Sequence, residues 1–134
     1  RSNAMRREAA ITVFTADALA KPIDHSTFDV VYCTLFAHHL DELEVVRLLE
    51  GMALRSRKLV LVDDLIRSRI GFALAWMGTR LLSRSWVVHT DGPLSVRGAF
   101  QPDEMMSIAK QAGMKNAQIK CSWPERYLLT WVHS

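Results

Sequence analysis

The chain has 134 residues, of which 49% are hydrophobic and 23% charged. This composition is typical of one soluble globular domain, and it excludes the collagen-like and intrinsically disordered classes. The 17 basic and 14 acidic side chains leave a net charge of +3, an excess too small to indicate nucleic acid as a partner. Residues 1–4, which precede Met5, are typical of a cloning scar, so we expect a single domain over residues 5–134.

The cysteines and the apolar segments bear on location. Cys33 and Cys121 lie in apolar or strand-like runs without CxxC spacing, which predicts reduced thiols in the core and a cytoplasmic protein. No N-terminal segment has the pattern of a signal peptide. The most apolar segment, Ile70 to Leu82, is too short to cross a bilayer and contains Arg80, so we expect no membrane span.

Three strands are predicted in the first half of the chain. The β-branched residues of segment 11–16 predict a strand that stops at Asp17. Segment 28–34 is nearly continuously apolar, as is typical of a strand in a parallel sheet that helices cover on both faces. The next buried strand spans 59–62 and ends before Asp63. Parallel neighbours need a right-handed crossover, so this order predicts the α/β class.

Two helices are predicted in the middle of the chain. Asp41 with Glu44 three residues later predicts a capped helix that continues to about Ser56. Segment 67–83 has helical periodicity and two apolar faces. Phe72 and Trp76 lie nearly opposite a stripe made of Ile70, Ala73, Leu74, Met77 and Leu81. Burial of both faces in the monomer, a cap over a substrate, a dimer contact and a membrane-surface contact all remain open.

The C-terminal third predicts a helix and a hairpin after a loop over 89–97. Proline at the first helical position and acidic residues in the first turn predict a helix that begins at Pro102, and Gly113 predicts its end. Alternating apolar residues over 118–123 and an apolar run over 127–132 predict a terminal antiparallel hairpin.

Polar side chains stand where the predicted strands end, which is where open parallel sheets bind ligands. Asp17 follows the first strand, Thr34 with His38 and His39 follows the second, and Asp63 with Asp64 follows the third. Carboxylates in such places also cap helices or solvate loops, so for Asp17 and Asp63 both interpretations stay open.

The two adjacent histidines, with Asp63, could ligate zinc or iron, since imidazole and carboxylate suit both metals. Neighbouring histidines do not easily face one ion, so a metal-dependent enzyme using His38, His39 and Asp63 is kept only as an alternative. The sequence contains neither a GxSxG elbow nor a glycine-rich phosphate loop.

Three motifs resemble the middle motifs of class I S-adenosylmethionine-dependent methyltransferases of the small-molecule type, similar to ubiquinone and menaquinone biosynthesis methyltransferases. They are Asp17-Ala18-Leu19, Phe28-Asp29-Val30-Val31 and His38-His39-Leu40-Asp41. The resemblance implies a partial Rossmann-like sheet that holds the family's strands 3 to 7, with helices on both faces and a C-terminal antiparallel hairpin. It also implies S-adenosylmethionine as the cofactor and a small, partly apolar acceptor.

The resemblance assigns roles to four cofactor-binding residues. Asp17 would bond the adenine amino group, and Ala18 would pack on the adenine ring. Thr34 and Leu35 would lie near the methionine and sulfonium part of the cofactor. No catalytic residue is assigned.

An acceptor pocket is expected under the predicted helix over 67–83. His38 would border this pocket, and Trp76, Trp86 and His89 would line it. For Trp76, a place in the core is an equally open interpretation. His39 is expected to cap the following turn instead.

The chain lacks the glycine-rich turn and the ribose-binding acid of the family's first two strands, so we interpret it as N-terminally truncated relative to the family. The family's sheet order, 3-2-1-4-5-7-6, then leaves segment 11–16 without neighbours and one edge of segment 28–34 open. Open edges pair with other strands. We therefore expect segment 11–16 to shift onto that edge, in its own chain or in a second copy as a homodimer. A non-catalytic homologue that self-associates or binds a partner is the alternative to an enzyme.

Overall fold

A computed structural model of the protein describes residues 11–13, 15–20 and 27–133. Their strands form one mixed sheet: β1 (Phe28–Thr34), β2 (Ser56–Leu65), β3 (Gln118–Ser122) and β4 (Arg126–Val132). The order across the sheet is β1-β2-β4-β3. β1 and β2 are parallel, whereas β4 runs antiparallel to both β2 and β3. The α/β class and the terminal hairpin predicted from the sequence are confirmed.

Four α-helices connect the strands: α1 (Glu42–Arg55), α2 (Arg69–Leu82), α3 (Trp86–Gly98) and α4 (Pro102–Gln111). A short 3-10 turn, Ala37–His39, precedes α1. The predicted cap of α1 is confirmed. The Asp41 carboxylate accepts a hydrogen bond from the Glu44 backbone N–H at 2.8 Å, and the Glu44 carboxylate accepts one from the Asp41 backbone N–H at 2.9 Å. In the described part of the chain, no helix is long and apolar enough to cross a membrane.

The core lies between the sheet and the two helices α1 and α4. It contains the buried side chains of Val45, Leu48, Leu49, Met52, Val60, Val62, Met105, Ile108, Tyr127 and Leu129. Strand residues alternate between faces, so Val60 and Val62 face this core, and so does the next residue in the alternation, Asp64, which is 1% exposed.

The other face of the sheet is only partly covered. Val30 and Tyr32 of β1 are 48% and 55% exposed, and Val132 of β4 is 63% exposed. We call these three residues, with Leu61 and Leu128 between them, the open face. The burial of β1 on both sides that its apolar run predicted is therefore wrong for Val30 and Tyr32.

The strand predicted over 11–16 is wrong. Residues 11–13 and 15–17 form no strand, and Phe14 lies outside the described residues. The Asp17 side chain instead accepts a hydrogen bond from the Leu19 N–H at 2.9 Å, which makes a turn. Among the described residues, the segment does not pair with β1 of its own chain. Without a neighbouring strand, its backbone groups lack the partners that a strand needs.

Two element boundaries differ from the predictions. β2 extends through Asp63 and Asp64, because β4 pairs with both positions and both carboxylates have partners. The loop expected over 89–97 is helical and belongs to α3, although Pro93 lies inside it. Proline removes one backbone hydrogen bond, and the buried packing of Pro93 and Val96 compensates for that loss.

The helical hairpin of α2 and α3 packs closely through one face only. A Cβ atom at Gly92 would lie 2.6 Å from Thr79 Cγ2, so only glycine allows this approach of the two helices. The other side of α2 is exposed at Ile70, Met77 and Leu81. Burial of both apolar faces of this helix within the monomer is therefore wrong for the described chain.

The cysteines do not both belong to the core. Cys33 is half-buried, and burial raises the pKa of its thiol to about 11. Cys121 is exposed, because its strand β3 is the edge of the sheet. The prediction of two core thiols is wrong for Cys121.

Candidate functional site

A buried histidine–carboxylate pair lies where β1 and β2 end. His38, in the turn after β1, is 8% exposed, and Asp64 comes from the C-terminal part of β2. His38 Nδ1 and Asp64 Oδ1 are 2.6 Å apart. A charge buried this deeply requires such partners.

Backbone groups hold the Asp64 carboxylate in place. Its Oδ2 accepts hydrogen bonds from the N–H groups of Phe36 and His38, each at 3.2 Å, and its Oδ1 accepts one from Leu65 N–H at 2.7 Å. An ionised carboxylate only accepts hydrogen bonds, so His38 Nδ1 carries the proton in this contact. In the neutral imidazole, Nε2 is then the nitrogen that carries the lone pair.

His38 lines a cavity of about 470 Å³. Residues from the strand ends, from both helices of the hairpin and from the β3–β4 turn form its walls: Leu35, His38, His39, Leu65, Gly71, Leu74, Ala75, Asp91, Gly92, Ser95, Val96, Pro124, Glu125 and Arg126. Its volume falls in the range of about 300–1,000 Å³ that is usual for small-molecule sites, and its mixture of apolar walls with a few polar groups is also typical.

The backbone around His38 is tightly fitted. A Cβ atom on Gly98, at the end of α3, would lie 2.5 Å from the His38 carbonyl oxygen. On the other side, Leu35 adopts a positive φ of 50° and its N–H donates to the Asp63 carbonyl oxygen at 2.9 Å. Positive φ is strained for a branched residue, so the chain turns sharply between β1 and the histidine.

A second ion pair closes one wall of the cavity. Arg126 donates to both carboxylate oxygens of Asp63, at 3.1 and 2.6 Å. This hydrogen bonding raises the pKa of Arg126 further, against the opposing effect of burial. Thr34 Oγ1 lies 3.5 Å from the same carboxylate. Asp63 is thus occupied by Arg126.

The metal alternative fails on this geometry. Asp63, the carboxylate of that alternative, is paired with Arg126. Within the ranges that the structure describes, no group of three or more His, Cys, Asp or Glu side chains is placed to hold a metal ion. His39, the third residue of that alternative, is exposed and lines the cavity.

The predicted cofactor residues do not share one cavity. Ala18 lines a small cavity of about 220 Å³ together with Tyr32 and Phe36, whereas Leu35 lines the larger cavity of His38. The carboxylate of Asp17 is exposed and occupied by its own turn. The smaller cavity lies below the usual size of ligand sites, about 300 Å³, so as described it fits one part of a nucleoside cofactor and not all of it.

Three of the four predicted acceptor residues lie outside the cavity. Trp76 and Trp86 are 46% and 76% exposed on the outside of the helical hairpin. His89 Nε2 contacts the Ser83 carbonyl oxygen at 2.8 Å and thereby joins the two helices. Of the four, only His38 lines the cavity. The residues that line this cavity do not include Trp76, Trp86 or His89.

Sequence reasoning missed Asp64 as the partner of His38. The signal was present, because Val60, Val62 and Asp64 follow a period of two, which places the carboxylate on the buried face of its strand. A buried carboxylate needs donors. Arg126 was also missed, since its contact with Asp63 spans 63 residues of sequence.

Comparisons with known proteins identify the architecture. No protein-family model and no curated protein matches the sequence. Magnesium protoporphyrin IX methyltransferase from Synechocystis PCC 6803, solved with bound SAH, is similar at a TM-score of 0.55 and 13% identity over 90% of this chain and 50% of that chain. The parallel β1–β2 pair followed by the β4–β3 hairpin reproduces the order 4-5-7-6 expected for the family. This is a partial class I methyltransferase fold.

Two further structures share this methyltransferase fold. Human N-acetylserotonin methyltransferase in complex with SAM gives a TM-score of 0.59 at 13% identity, over 89% of this chain and 32% of that chain. An enzyme described as a pericyclic reaction enzyme gives 0.55 at 12% identity, over 88% and 29%. The chain therefore spans 29% to 50% of the length of these proteins, and the fold they share does not fix one reaction.

Proposed function

We propose that this chain is the acceptor-side part of an S-adenosylmethionine-dependent methyltransferase that acts on a small, partly apolar molecule with an ionisable hydroxyl group. The observation that carries the proposal is the buried His38–Asp64 pair beside a cavity of about 470 Å³, at the edge of the sheet where open α/β folds bind ligands. The apolar wall that Leu65, Leu74 and Val96 contribute favours an acceptor with hydrocarbon or ring surface.

His38 acts as the proton acceptor in this proposal. Asp64 fixes Nδ1 as the protonated nitrogen, so Nε2 can take the proton of an acceptor hydroxyl as its oxygen forms the new bond to carbon. The positive charge that develops on the ring is stabilised by the carboxylate at 2.6 Å. Holding acceptor and methyl donor in line supplies much of the remaining rate enhancement.

The cofactor residues remain those of the resemblance: Asp17, Ala18, Thr34 and Leu35. When bound, S-adenosylmethionine would supply an electrophilic methyl group, whose bond to the sulfonium sulfur would break so that the cofactor leaves as a neutral thioether. The small cavity at Ala18 supports contact with one end of the cofactor, and the turn at Leu35 brings backbone next to the His38 cavity. We expect the missing contacts to be made by segments that correspond to the family's first two strands, and we expect a cytoplasmic protein.

The test compares the wild-type chain with His38→Gln in cofactor titration and in transfer of a labelled methyl group to a panel of phenols. We expect His38→Gln to lower the transfer rate by about 10²- to 10⁴-fold with unchanged cofactor affinity. The rate of the variant should recover as pH rises, because an ionised phenol needs no proton acceptor. His133→Gln, at an exposed histidine next to Trp131, is the matched control. Full activity of His38→Gln at neutral pH would contradict the proposed role.

A second candidate is a non-catalytic chain that self-associates as a homodimer. It is favoured by the free edge of β1, which pairs on one side only among the described residues, and by the exposure of Val30 and Tyr32 next to that edge. Open apolar edges pair readily. Light scattering after size-exclusion chromatography tests this candidate. It is favoured if the wild-type chain is a dimer that Val30→Lys converts to a monomer and if the chain binds no cofactor. A wild-type monomer refutes it.

A further inference from the structure

The tip of the helical hairpin exposes several large apolar side chains. Its side chains come from the end of α2 and the start of α3. Leu81, Leu82, Trp86 and Val87 are 79%, 90%, 76% and 68% exposed. We call these four residues the apolar tip. Monomeric proteins seldom expose contiguous patches of large apolar side chains unless the patch meets a partner or a membrane.

The charged residues that flank the apolar tip along the chain are all basic. Between Ile66 and Thr90 the sequence has four arginines and no acidic residue. Arg80 and Arg84 flank the tip and are exposed, and neither has a carboxylate partner among the described residues. The Arg80 guanidinium lies 4.1 Å from the centre of the Trp76 ring, on the same outer side of α2.

We propose that the apolar tip docks on the surface of a lipid bilayer that contains anionic headgroups. Leucine and valine side chains would enter the acyl boundary, and Trp86 would lie at the headgroup level that tryptophan prefers. Arg80 and Arg84 would reach anionic headgroups while their hydrocarbon stems stay along the apolar surface. The docked surface is a helical tip that lies on the membrane and does not cross it.

The charge pattern favours a bilayer over a second copy of the chain. A two-fold interface applies the same patch to itself, so it would bring Arg80 and Arg84 of both copies together around an apolar centre. No carboxylate of the tip would offset that repulsion, since the first acidic residue after Asp64 is Asp91, which lines the cavity on the inner side of the hairpin. Anionic lipid instead provides the complementary charge.

Vesicle binding tests the inference without reference to methyl transfer. The probes are sonicated phosphatidylcholine vesicles, either alone or with about 30% anionic phosphatidylglycerol. Binding of the full chain is followed by sedimentation and by quenching of tryptophan fluorescence with brominated lipid. We expect binding to anionic vesicles that weakens with salt, and Arg80→Gln with Arg84→Gln should lower the partition coefficient about 25-fold, at about fivefold per arginine.

Matched variants separate docking from general stickiness. Leu82→Asp should abolish binding, whereas Leu54→Asp, at a residue of α1 that is 70% exposed, should leave it unchanged. Trp86→Phe should keep binding but remove most of the quenching by brominated lipid. Equal binding to neutral vesicles, loss of binding with Leu54→Asp, or a wild-type dimer that Leu82→Asp dissociates would overturn the proposal.

Discussion

Replacing Asp64 by asparagine should test the central contact of the site. The substitution keeps the shape of the side chain but turns one acceptor oxygen into an NH₂ group, which then faces either the Phe36 and His38 N–H groups or the ring and Leu65 N–H. In either orientation, the new NH₂ group faces at least one buried N–H donor and cannot accept its hydrogen bond. Breaking a buried pair of this kind costs about 3–5 kcal/mol, so the free energy of unfolding should fall by that amount.

Urea unfolding followed by far-UV circular dichroism measures the loss. A double-mutant cycle with His38→Gln should give a coupling free energy of about 1.5–3 kcal/mol between Asp64 and His38, the value of a charge-assisted hydrogen bond. The nitrogen chemical shifts of the His38 ring give an independent readout that does not depend on folding of the variants. They should show the proton on Nδ1 in the wild-type chain at high pH. A proton on Nε2, or a coupling free energy near zero, would refute the reasoning.

Three further predictions concern packing and thiol chemistry. Gly92→Ala should lower the free energy of unfolding by about 1–3 kcal/mol through overpacking, and Thr79→Ser should restore much of it by removing the methyl group at 2.6 Å; a neutral Gly92→Ala would contradict this close contact. Tyr127→Phe should raise stability by about 1 kcal/mol, because the buried hydroxyl has no hydrogen-bond partner among the described residues, and a clear loss in urea unfolding would show that it has one. At pH 8 a thiol reagent should modify Cys121 quickly and Cys33 slowly, since burial raises the pKa of Cys33 to about 11; a fast phase that persists in Cys121→Ser would count against this.

Local signals predicted most of the elements. The capping box at Asp41 and the proline at the first position of α4 act over a few residues, and the helices begin there. The apolar run of β1 predicted its bounds, Phe28–Thr34. The same run could not show whether both faces of β1 would be buried, because burial depends on helices that are distant in the sequence.

The failures also have physical causes. A strand exists only when a neighbour satisfies its backbone groups, and segment 11–16 has the β-branched composition without such a neighbour among the described residues. The segment 89–97, expected as a loop, is helical in α3, where Gly92 lies close to Thr79 of α2; a contact between two helices is not visible in the local sequence. At the site, His38 lines the cavity, whereas Trp76 and Trp86 are not among its lining residues. Segment 67–83 has two apolar faces, and its periodicity alone does not say which of them faces inward.

The helical hairpin lies in the long connection between β2 and β4, two strands that pair with each other. The entropic cost of closing this connection grows only slowly with its length. The β1–α1–β2 unit and the β3–β4 hairpin each rely on contacts between neighbouring elements of the chain, so they can form and join without the helical hairpin. The sequence of the helical hairpin can therefore change during evolution, together with the cavity wall and the apolar tip that it forms, without altering the sheet next to which His38 and Asp64 lie.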